Sequence, residues 1–136
     1  MTGKTISLDF EGYWLKKNSV PTHSGIYCVY ACKYNKSEDN ITLGELIYIG
    51  ESENVRTRLG AHEKQKLWEE YLTAGETLCF STAKVSSSDR VRAESALISY
   101  HKPPANIEYA GEFKDNKTTI AVSGAAKHLE RNFTVG

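Results

Sequence analysis

The chain has 136 residues, 40% of them apolar and 25% charged, which suits one folded domain with a single core and leaves little room for two. Seventeen basic residues balance seventeen acidic ones, so the formal net charge is zero. That balance excludes a uniformly basic nucleic-acid coat protein, and any phosphate binding must come from a local patch.

Residues 1–12, MTGKTISLDFEG, hold no apolar signal segment, and no run reaches membrane-spanning length. Thr5 to Trp14 alternates loosely through Ile6, Leu8 and Phe10, as an edge strand would. Lys16 to His23 is polar, contains Pro21 and reads as a loop. Gly25 to Tyr34 is apolar at nearly every position, so it predicts a strand covered on both faces. Asn35 to Gly44 collects turn formers and charge and reads as a connection to a second buried strand, Leu46 to Gly50. A short connection favours an antiparallel pair, which brings Tyr27 and Tyr48 together. Each buried phenol needs a polar partner that a Phe would not.

Ser52 or Asn54 is suited to cap a helix starting near Val55, with Gly60 marking a break. Leu78 to Val85 reads as a third strand. The run Ser86-Ser-Ser-Asp89 signals the start of a helix over 90–101 that ends at Pro103-Pro104. Beyond Asn106, Thr118 to Val122 reads as a strand and Ala125 to Arg131 as a short terminal helix. Cys28, Cys32 and Cys79 are odd in number and lie in apolar runs, so reduced core thiols of a cytoplasmic protein are expected. His23, His101 and His128 show no zinc-ligand spacing. No phosphate-binding loop or serine-nucleophile motif is present.

Two segments carry candidate chemistry. In the helix over 90–101, Val91, Glu94, Leu97, Ile98 and His101 read as one face, which sets Glu94 in an apolar stripe. A carboxylate there needs a cation, Arg or metal, or must reach solvent. In NVRTRLGAHEK, Arg58 and His62 are four apart and read as one helix face. Such a basic pair suits phosphate, or simply a solvated face that Arg56, Lys64 and Lys66 also decorate.

These residues fall into one order. Gly25-Ile-Tyr27 is followed by Tyr48-Ile-Gly50, by Arg58 eight residues on, and by His62 four later. Glu94 comes on a later helix, and Asn106 twelve residues after it. This series resembles the GIY-YIG endonuclease superfamily over residues 25–106. The resemblance implies one nuclease-like domain over 1–136, with 1–24 and 107–136 as extensions. It implies an α+β fold: a small three-stranded antiparallel sheet flanked by helices, with room for extra N- and C-terminal strands. It also implies hydrolysis of DNA phosphodiester bonds with a divalent metal, Mg²⁺ or Mn²⁺, held by Glu94. Arg58 would stabilise transition-state charge, and Tyr27 would act as base or orient the attacking water, its pKa lowered by Arg58 and the metal. Tyr48 would hold phosphate or water, and His62 would share a proton with the hydroxyls. Gly25, Gly50 and Asn106 would shape the site. Glu51, directly after the second triplet, must turn away or pair with a cation to admit phosphate. The rival expectation is a non-catalytic nucleic-acid-binding module that keeps the fold. A homodimer or a partner protein is left open.

Overall fold

The computed structural model describes residues 3–106, 113 and 115–136. The extension over 107–136 is therefore described only in part. Six strands form one mixed, curled sheet, a half-barrel. They are β1 (Lys4–Trp14), β2 (Gly25–Asn35), β3 (Asn40–Ser52), β4 (Thr77–Lys84), β5 (Thr118–Gly124) and β6 (Asn132–Val135), in the order β3-β2-β4-β1-β5-β6. Among the described residues, three α-helices accompany them: α1 (Val55–Gly60), α2 (Gln65–Glu69) and α3 (Ser87–His101).

This overturns the expected small three-stranded antiparallel sheet. The trio β3-β2-β4 is antiparallel, but β1 pairs with β4 on one side and lies parallel to β5 on the other. β1 is thus an interior strand, not an edge. Its Ile6, Leu8 and Phe10 point to the core while their neighbours stay exposed, a pattern an edge and an interior strand share. The expected helix over 125–131 is absent. Gly124 ends β5, and the chain turns through Ala126 and Leu129 into β6, which pairs with β5. The connection expected over 35–44 is shorter than read, because β3 already begins at Asn40.

β2 is buried at eight consecutive positions because each face of the sheet has its own cover. Even-numbered Ile26, Cys28, Tyr30 and Cys32 pack with Ala93, Ala96, Leu97 and Ile98 of α3. Odd-numbered Tyr27, Val29 and Ala31 pack with Val55, Leu59 and Trp68 of α1 and α2. The two-residue repeat of a strand sends alternate side chains to the two cores. Removing one such side chain, as in Leu97→Ala, costs about 2–5 kcal/mol in a packed core. Cys28, Cys32 and Cys79 are all free and buried. Among the described residues, no helix is long and apolar enough to cross a membrane.

Val91 does not share the buried face of α3. It is 58% exposed, because six residues at 100° per residue set it 240° from Leu97. Glu94 is half-buried at the margin of the stripe.

Candidate active site

Both glycines of the paired triplets sit where a side chain cannot. A Cβ on Gly25 would lie 2.0 Å from the Ala83 carbonyl oxygen of β4. A Cβ on Gly50 would lie 2.2 Å from Cζ and 2.3 Å from the hydroxyl of Tyr27. The pairing of Tyr27 with Gly50 across β2 and β3 creates the second contact. The phenol therefore lies flat over Gly50 and reaches toward β3, the outermost strand on that side.

Tyr48 stacks beside it, with ring centroids 6.2 Å apart. His62 closes the group: its Nε2 is 2.8 Å from the Tyr27 hydroxyl, and its ring is 4.4 Å from that of Trp68. α1 starts at Val55 because the Asn54 side chain accepts the Thr57 N–H, a standard N-cap. It ends at Gly60, so His62 lies in the turn beyond it. The expected shared helix face of Arg58 and His62 is therefore wrong: His62 turns into the core while Arg58 stays partly solvated. The helix break also places Glu63 within reach of Arg58, which donates to it through both terminal nitrogens at 2.8 and 2.9 Å. The sequence reading missed Glu63. Its signal was one acidic residue inside a basic run.

The tautomer of His62 follows from its partners. The Lys64 backbone N–H donates to Nδ1 at 3.1 Å, so Nδ1 carries a lone pair. The proton of the neutral ring then sits on Nε2 and is donated to the Tyr27 oxygen. Burial, and next the Arg58 charge, push the His62 pKa down to about 4, so the ring is neutral near pH 7. Burial and the neighbouring Tyr48 raise the pKa of Tyr27, and the opposing pull of Arg58 is weaker. Arg58 does pull the Tyr27 pKa down as expected, but desolvation of a phenolate outweighs one half-solvated guanidinium, so the net shift is upward.

Glu94, carried by α3, reaches the Glu51 backbone at the end of β3. Burial, and next the charge of Glu51, push its carboxyl up to about 7, while the Glu51 backbone amide favours the ionised form. Glu51 itself pairs with Arg90, whose other nitrogen donates to Ser24 at 2.8 Å. The carboxylate after the second triplet is thus paired with a cation. Tyr27 over Gly50 and Glu94 at the Glu51 amide meet at two consecutive residues of one strand, and the charges of Glu94 and Arg58 both act on the Tyr27 hydroxyl.

Asn106 is fully buried and acts on the same strand. Its Oδ1 accepts the Ile49 N–H and its Nδ2 donates to the Ile49 carbonyl, both at 2.9 Å. A carboxamide offers an acceptor and a donor side by side, as a neighbouring strand would. The Ala105 N–H adds a bond to the Ile47 carbonyl. Asn106 therefore supports the wall of the site.

The described residues contain no group of three or more His, Cys, Asp or Glu side chains arranged to hold a metal. Glu94 offers a single carboxylate, so a hard cation held there would keep most of its water ligands. No protein-family model matches the chain, and no curated protein or solved structure matches it.

Proposed function

We propose that the chain is a divalent-metal-dependent endonuclease that hydrolyses DNA phosphodiester bonds. The observation that carries this reading is the convergence of Tyr27, Tyr48 and His62 with Glu94 on Gly50 and Glu51, beside Arg58. A hydroxyl, a neutral imidazole donor, a guanidinium and a cation-seeking carboxylate are the groups that in-line phosphoryl hydrolysis uses. The reading also rests on the resemblance to the GIY-YIG superfamily, although the six-stranded sheet departs from the fold that resemblance implies.

Glu94 is the residue that would hold Mg²⁺ or Mn²⁺. Bound there, such a cation would neutralise charge on the phosphate and the departing oxygen. Arg58 would donate its planar fork to the nonbridging oxygens in place of Glu63. Tyr27 keeps its proton in the resting protein, so its first role is to orient the attacking water. The Nε2–H of His62 would donate to the Tyr27 oxygen and so aim the phenol O–H at that water, with no proton leaving Tyr27. Tyr48 would fix the phosphate or the water from the neighbouring strand. Three free, buried cysteines fit the reducing cytoplasm.

The closed Arg58–Glu63 pair favours one alternative, a nucleic-acid-binding module without turnover. A plasmid assay separates the two. Supercoiled DNA is incubated with the wild type, Glu94→Ala and Arg58→Ala, each with Mg²⁺, Mn²⁺ or EDTA. Nicking by the wild type that needs metal and vanishes in both variants is expected. A folded wild type that nicks with neither metal would refute the nuclease reading.

A further inference from the structure

A second basic site lies on the other side of α1. Lys16, Lys17 and Asn18, from the loop and 3-10 turn after β1, face Arg56 and Gly60 of α1 across an open cavity of about 460 Å³. Three of its five lining residues are cationic, and none is acidic. Among the described residues, none of the three cations makes an ion pair. Arg56 is fixed in direction, because its Nε donates to the Val20 carbonyl at 2.6 Å. The Lys17 ammonium is partly desolvated, which pushes its pKa down, and Glu69 of α2 is the acid that acts on it. A Cβ on Gly60 would meet nothing within 4 Å, so the cavity is open at this wall. In a chain of zero net charge, this is an unpaired cluster assembled from two segments of sequence.

We infer that this cleft is a subsite for a nucleic-acid backbone phosphate away from the bond that is cut. The inference rests on the nuclease reading for its choice of ligand. Arg56 and Arg58 are two residues apart on α1 and so point to nearly opposite sides of the helix. Phosphates on the two arginines would be separated by about the width of a helix, roughly 10–12 Å, farther than neighbouring phosphates of one strand. The reacting phosphate and the cleft therefore hold different phosphates of one strand path that crosses α1. Lys16 and Lys17 lie outside residues 25–106, so this extension supplies DNA contact that the chain's neutral composition hides.

The test is the salt dependence of binding, measured in EDTA so that no cutting intrudes. The probe is a labelled 20-base-pair duplex, titrated between 50 and 200 mM salt. Each phosphate contact contributes about 0.9 to the slope of log affinity against log salt. Lys16→Gln with Lys17→Gln leaves the Arg56–Val20 bond intact and should flatten the slope by up to about one. Gly60→Asp, which adds a negative charge in open space and removes nothing, should weaken duplex binding at least severalfold. Hydrolysis of a mononucleotide aryl ester, which spans only the reacting phosphate, should be unchanged in the double lysine variant. An unchanged slope in the double variant would overturn the subsite, as would equal damage to both substrates. If the slope flattens while the wild type cuts nothing, the subsite stands and the nuclease reading fails.

Discussion

Glu94 offers a perturbation whose sign separates a functional carboxylate from a structural one. Its carboxyl is pushed from 4.5 to about 7 by burial and by Glu51. At about 1.4 kcal/mol per pH unit, the ionised form costs the folded state at most about 3.5 kcal/mol, and half-burial reduces this to about 2–3. The folded chain holds this proton more tightly than the unfolded chain, so the contribution is present below pH 4.5 and lost as pH rises to 7. His62 runs the other way. Its pKa falls from 6.5 to about 4, so its contribution is present above pH 6.5 and lost as pH falls toward 4. The two nearly cancel between pH 4.5 and 6.5 in the wild type. Glu94→Gln removes one of them. The variant should be about 2–3 kcal/mol more stable than wild type at pH 8, equal to it near pH 4, and should show the rising limb of His62 alone. Urea unfolding followed by the fluorescence of Trp14 and Trp68 reads this directly. Magnesium at pH 8 should stabilise the wild type and leave the variant unmoved. A variant less stable than wild type at pH 8 would sink the argument, because it would make Glu94 a partner in a structural ion pair.

Three further outcomes follow from the same geometry. Glu63→Gln should leave stability almost unchanged and tighten binding of a DNA duplex in EDTA severalfold, since it frees the Arg58 fork; weaker binding would instead make Glu63 the residue that positions Arg58. Gly50→Ala should cost about 1–3 kcal/mol by driving a methyl into the Tyr27 ring, and should lower nicking with it; wild-type stability would mean the ring is not seated on Gly50. Asn106→Ala strips Ile49 of two partners and should cost about 2–3 kcal/mol by urea unfolding, whereas a loss under 0.5 kcal/mol would show that water replaces the carboxamide.

The parts of the fold that sequence predicts well are those in which local rules and packing agree. The unbroken apolar run of β2 follows from a sheet covered on both faces, and Asn54 begins α1 because its cap satisfies a helix amide. The misread parts depend on partners distant in sequence. Alternation in β1 reports one solvated face but not how many strands flank it, and its parallel neighbour β5 begins more than a hundred residues later. β6 has four residues, of which only Phe133 is buried, too few for any period to register. At the site, spacing suggested a helical pair of Arg58 and His62, but the break at Gly60 changes the rule that spacing relies on. That break turns His62 inward and brings Glu63 onto Arg58. The burial of Tyr27 beneath a helix and beside a second phenol, which sets its protonation, depends on packing that no triplet encodes.

The two halves of the site sit on elements of unequal persistence. β2 is paired on both sides and buried on both faces, so its amides should exchange hydrogen with solvent only when the whole domain unfolds. α1 has six residues, with Val55 and Leu59 as its only buried anchors, and should open far more often. Tyr27 and Tyr48 would then act as a fixed platform, and Arg58 as a hand that closes on it. Occupancy by a phosphate should slow exchange over 55–60 and leave 25–32 as it was, so ligand binding would be felt as the ordering of one short helix against a floor that does not move.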